Sequence, residues 1–87
     1  YLIFKSMRDG GFGGADLYIC FRKEDGSWSK AKNLGSRINT EYAERFPYVT
    51  RDGRYFFFGS DRNGNRGDIF WMDAGFIGAM RKQVFSE

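Results

Sequence analysis

Two stretches of this chain are versions of one another, and that repetition limits the architecture more than any other feature. Tyr1-Leu2-Ile3-Phe4 aligns with Tyr55-Phe56-Phe57-Phe58, and in the same register Ser6 and Arg8 align with Ser60 and Arg62. Asp16-Leu17-Tyr18-Ile19 aligns with Asp68-Ile69-Phe70-Trp71 in a register shorter by two residues, the difference falling in the glycine loop between the aligned runs. Loops tolerate insertions and strands do not, so a length change confined to a loop is what a structural repeat shows. A repeat of about fifty residues built from short strands points to a β-propeller, whose sheets pack face to face and cover one another.

Local chemistry agrees. Asp25-Gly26, Asp52-Gly53 and Asn63-Gly64 are hairpin pairs, because both residue types accept the positive φ of tight turns. Between the turns lie Tyr1 to Phe4, Leu17 to Phe21, a run at Trp28, Phe46 to Thr50, Tyr55 to Gly59 and Asp68 to Met72, which predict about six short strands. Pro47 falls near a strand start, where its missing N–H is tolerated. Tyr55 to Phe58 and Ile69 to Met72 are apolar without alternation, which predicts a sheet covered on both faces. Phe76, Ile77, Met80 and Val84 follow helical spacing, while Gly75 and Gly78 oppose it, so 74–87 reads as a short helix or irregular tail.

Composition then removes whole classes of chemistry. The 87 residues include no His and a single Cys, Cys20, which excludes a Ser-His-Asp triad, a Cys-His pair, a His-containing zinc site and an internal disulfide. Cys20 lies between Ile19 and Phe21 and is expected to be a buried, unreactive thiol. No apolar run approaches the roughly 18 residues that cross a bilayer. The net charge is +3, but the charges are mixed, as where Arg22-Lys23 is followed by Glu24-Asp25, and the aromatic residues sit in strands as expected core. Both features argue against a nucleic-acid surface.

The stretch Tyr48-Val49-Thr50-Arg51-Asp52-Gly53-Arg54-Tyr55-Phe56-Phe57-Phe58-Gly59-Ser60-Asp61-Arg62-Asn63-Gly64, followed by Asp68-Ile69-Phe70, resembles a TolB-type β-propeller repeat. That pattern reads S-P-D-G-K-x-L-x-F-x-S-x-R-x-G, a gap, then D-I-Y. Gly10 to Tyr18, Asp25 to Trp28, Asn33-Leu34-Gly35 and Ile38-Asn39-Thr40-Glu41-Tyr42 resemble its long form. Thr50-Arg51 replaces the usual Ser-Pro, and Met7 stands where an acidic residue usually precedes the Arg. The resemblance covers roughly residues 1–73. It implies an all-β fold of antiparallel β-propeller blades, about one and a half of them, in a piece cut from a longer protein. The expected division is a partial first blade over 1–33, an inter-blade loop over 34–45, a partial second blade over 46–73 and the tail. The resemblance further implies a periplasmic or exported protein, because the long form occurs in exported bacterial proteins, some with an OmpA-like domain. The function it implies is a non-catalytic binding or scaffolding module of the bacterial envelope. The competing reading is the non-catalytic propeller portion of a glycoside hydrolase or peptidase.

Candidate sites follow from residue types. Glu41, Tyr42, Glu44, Arg45 and Tyr48 cluster at the entry to the second blade, where loops reaching a propeller axis contact a ligand or partner. Arg8 and Arg62 occupy equivalent repeat positions and are expected to be structural, their guanidinium groups bonding backbone carbonyls or a carboxylate such as Asp16 or Asp68. Asp61, Asn63 and Asn65 alternate like calcium ligands, with Asp68 close behind, but Arg66 stands where an EF-hand has Gly, so a hairpin is expected. Gly10 to Gly14 lacks the Lys-Ser/Thr ending of a phosphate loop. Asp25 to Trp28 reads as a turn followed by a packing Trp. No catalytic residue, metal or cofactor is expected. The expected partner is another protein or a second copy, in a homo-oligomer if the chain is complete, since incomplete sheets leave unpaired edges.

Overall fold

The computed structural model describes residues 1–64 and 67–86. Six strands form two three-stranded antiparallel sheets in simple meander order. The first holds β1 (Leu2–Ser6), β2 (Asp16–Cys20) and β3 (Lys32–Asn33); the second holds β4 (Glu44–Val49), β5 (Tyr55–Ser60) and β6 (Asp68–Asp73). A helix, α1 (Gly75–Phe85), follows. The mostly β architecture and the helical form of the tail agree with the sequence expectation. The third strand lies at Lys32–Asn33 rather than at Trp28, which makes only an isolated bridge to Arg22. The second sheet begins at Glu44, inside the expected inter-blade loop.

Turn chemistry closes the hairpins. Between β4 and β5, Gly53 adopts φ 75, its N–H donates to the Thr50 carbonyl, and the Asp52 carboxylate accepts from the Thr50 hydroxyl and the Arg54 N–H. The Thr50 bond, then that from Arg54, holds the Asp52 carboxyl below its ordinary pKa. Asp25 is lowered in the same way by the Ser27 side chain and backbone. Trp28, beyond that turn, is half exposed with the Arg22 guanidinium 5.8 Å from its ring, so it is not a core residue.

In an antiparallel ladder, directly opposed residues share a face. The register opposes Ile3 to Ile19, Phe56 to Met72, and Phe58 to Phe70. Leu17, Ile19 and Phe21 of the first sheet meet Phe56 and Phe58 of the second in one core, with Leu34, Ile38 and Ala74. Ile3, Phe70, Met72 and the helix residues Phe76, Ile77, Met80 and Val84 pack around it. The two sheets therefore lie face to face, with α1 closing one border. At another border the chain between them pairs with both, since Glu44 N donates to the Ala15 carbonyl and Asp61 N to the Ala43 carbonyl.

The repeat persists in three dimensions. Arg8 donates from its backbone N and Nε to Ser6 Oγ at 3.3 and 2.9 Å; Arg62 does the same to Ser60 Oγ at 3.2 and 2.9 Å. Each guanidinium then lies over two rings, Phe4 and Tyr18 at 5.4 and 4.7 Å, and Phe58 and Phe70 at 5.3 and 4.7 Å. The hook is a product of the repeated Ser-x-Arg spacing and the ring pair beneath it. Of the two kinds of partner expected, Arg62 takes a backbone carbonyl, that of Ile38, and the carboxylate beside it, at 3.8 Å, is Glu44 rather than Asp16 or Asp68; Asp16 is held by the Phe12 N–H and the Asn33 amide. Asp68 is half-buried and faces Ser60 across the ladder.

Candidate functional site

The five residues expected to form a site at the entry to β4 do not converge. Glu44 is fully buried, and its carboxylate accepts from Thr40 N at 2.9 Å, Thr40 Oγ1 at 2.7 Å and Ser60 Oγ at 2.8 Å. It fastens the connecting loop to β5 and has no route to a ligand, which corrects its assignment as a contact residue. Arg45 is occupied by Asp61 in a two-pronged pair at 3.2 and 2.7 Å. Glu41 and Tyr42 are exposed on the loop, and Tyr48 points from the other face of the sheet. The register shift between Arg45 and Tyr48 makes this division: in a regular strand Glu44 and Tyr48 would share a face, but Glu44 opposes Ser60 on the core side and Tyr48 opposes Phe57 on the outer side, so a cluster in sequence is split in space.

The glycine loop is likewise structural. A Cβ on Gly11 would collide with the Asp16 carboxylate, and one on Gly13 with the backbone carbonyls of Thr40 and Glu41. The loop thus lies flat against β2 and the connection between β3 and β4 because it carries no side chains there. Asp16 is buried, and its Oδ1 has no hydrogen-bond partner among the described residues. Of the calcium-like residues, Asp61 is engaged by Arg45, while Asn65 and Arg66 lie outside the described residues. Cys20 is a buried free thiol, as expected.

What the fold does assemble is an aromatic surface on the outward face of the second sheet. The register places Tyr48, Phe57 and Trp71 in one row across β4, β5 and β6, with Tyr55 and Ile69 on the same face. Tyr48 is 60% exposed, Trp71 64% and Ile69 67%. Trp71 meets Tyr55 edge-on at 5.7 Å and Phe57 at 6.4 Å, and the three rings frame a shallow recess of about 200 Å³. Beside them Phe46 is 75% exposed at a register shift in β4, with φ 53. The double coverage expected of 55–58 and 69–72 therefore fails: Tyr55 is exposed and Phe57 only half-buried in β5, and exposed and half-buried residues alternate along β6, whereas β2 is buried along its whole length. The sequence offers Tyr48 as a contact residue but places Tyr55, Phe57 and Trp71 in the core, because an all-apolar strand carries no alternation from which to read its faces. Scattered exposed apolar residues are ordinary, whereas a contiguous aromatic face marks an interaction surface.

Compared with protein-family models, with curated proteins and with solved structures, the chain matches none of them.

Proposed function

We propose that this chain is a non-catalytic binding or scaffolding module of the bacterial envelope, composed of two partial blades of a TolB-like β-propeller, and that it works through protein contacts on the outward face of its second sheet. The observation that carries this reading is the row Tyr48, Phe57 and Trp71, whose rings turn away from the core. Tyr and Trp are enriched at protein interfaces, where rigid rings cover much area at little entropic cost. The repeated Ser-x-Arg hook and the two meander sheets support the propeller assignment, because both recur in the register of the sequence repeat.

The test is site-specific photo-cross-linking in a bacterium that exports the chain to its periplasm. A benzophenone side chain at Trp71 is expected to give discrete protein adducts, while one at the exposed Arg37, away from the aromatic row, gives none. Absence of adducts at Trp71, or adducts that are removed by nuclease, would overturn the reading.

A further inference from the structure

The internal repeat identifies what covers the aromatic face. Under the alignment, Ile3, Leu17 and Ile19 correspond to Phe57, Ile69 and Trp71, and Leu2, Phe4, Tyr18 and Cys20 correspond to Phe56, Phe58, Phe70 and Met72. Inside the molecule the face bearing Ile3, Leu17 and Ile19 is covered by the face bearing Phe56, Phe58, Phe70 and Met72. The exposed face of the second sheet is thus the repeat equivalent of a face whose complement the fold already displays. That complement has its own equivalent, the outer face of the first sheet, which is open along β1, with Leu2 50% exposed and Phe4 half-buried, while Tyr18 and Cys20 of β2 are buried.

A second feature prepares the outer face of the first sheet for the same contact. Arg62 uses its Ser60 hook to extend Nη2 to the Ile38 carbonyl, on the chain that leaves the first sheet. Arg8 holds the identical hook on Ser6 and lies over Phe4 and Tyr18, but its side chain is exposed and, among the described residues, its hydrogen bonds go only to Ser6. Its terminal nitrogens are therefore positioned to take a carbonyl from a neighbour, as Arg62 takes one within the chain.

We propose that a second copy of this chain docks its first sheet, through Leu2, Phe4 and Arg8, on the Phe57, Ile69 and Trp71 face of the first copy, repeating between molecules the packing found between the two sheets within one. The proposal rests on reading the aromatic row as a protein-contact surface. The contact is head-to-tail, because the two surfaces are different, and a head-to-tail contact continues from copy to copy until it closes.

Light scattering on the purified chain tests it, with one substitution blocking each surface. Wild type is expected to rise in mass with concentration from the 10.1 kDa monomer. Trp71→Glu and Leu2→Glu should each remain at the monomer mass alone, and an equimolar mixture should form a species of twice that mass, since each variant retains the surface that the other lacks. Both side chains are half or more exposed, so neither change opens a cavity; circular dichroism and a cooperative melt check folding, and Ile69→Lys provides a second block of the aromatic face. A wild type that stays monomeric at all concentrations would sink the proposal. So would Leu2→Glu doubling its mass by itself, which means that the aromatic face pairs with its own copy. A monomer that still yields Trp71 cross-links to another protein would overturn the second-copy partner while leaving the protein-contact reading intact.

Discussion

Phe46 shows most directly what single residues tolerate for the sake of this fold. A bulky side chain at φ 53 sits in the left-handed region that glycine favours, at a cost of about 1–3 kcal/mol. Pro47 follows it and narrows the choices further. The side chain is largely exposed, so burial does not offset the strain. At an ordinary strand position Gly is less stable than Ala by about 0.5–1 kcal/mol. At position 46 the order should invert: Phe46→Gly is expected to be more stable than Phe46→Ala by about 1 kcal/mol, or roughly 4–8 °C in melting temperature. Paired thermal melts measure this, and an Ala variant that is the more stable would show that the backbone there carries no strain. Glu44 is the opposite case, a charged residue placed in the interior because three donors converge on it.

Among the elements, the loop between β1 and β2 is the one whose sequence is explained only by its neighbours. Gly13 and Gly14 are adjacent and chemically identical, yet a Cβ on Gly13 meets backbone carbonyls of Thr40 and Glu41, between β3 and β4, and one on Gly14 meets nothing within 4 Å. Backbone cannot step aside as a side-chain tip can. Gly13→Ala is therefore expected to destabilise by about 2 kcal/mol or more, in the range of overpacking changes, while Gly14→Ala is neutral or slightly stabilising. Urea denaturation of the two variants decides the matter, and equal effects would mean that the loop does not rest on the 40–41 segment. The helix is an element of the opposite kind. Its N-terminus is helped by Asp73, which accepts from Gly75 N at 2.7 Å, but none of its residues is wholly buried, and it acts by covering the sheet border with Phe76, Ile77, Met80 and Val84.

At the scale of the whole molecule, both sheets and the helix share one core. Phe56 is fully buried at its centre, 5.5 Å from the Phe58 ring and 5.2 Å from that of Phe76. Phe56→Ala should cost about 3–5 kcal/mol, a large fraction of the stability of a domain this size. Because the core is common, the loss should appear in both sheets at once. Trp28→Phe leaves Trp71 to report the second sheet, and Trp71→Phe leaves Trp28 to report the first. Fluorescence melts of the two single-tryptophan forms are expected to coincide and to fall together when Phe56→Ala is added. Separate transitions would mean that the sheets fold independently.

Read without coordinates, the chain already declares its repeat, the hairpin turns at Asp25-Gly26 and Asp52-Gly53, five of its strands to within a few residues, and the equivalence of Arg8 and Arg62, since these depend on local conformation and spacing. Its third strand lies at Lys32–Asn33 and not at Trp28, because two paired residues leave no apolar period to find. The fate of Glu44, Arg45 and Tyr48 is also illegible in sequence, because it depends on the register shift in β4 that turns Glu44 and Tyr48 to opposite faces. The aromatic face was hidden for a related reason: Ile69-Phe70-Trp71-Met72 is apolar on both sides, so composition requires burial for each residue alike. Only the stacking of one sheet on the other selected Phe70 and Met72 for the core and left Ile69 and Trp71 outside, because β6 meets the other sheet on one face alone.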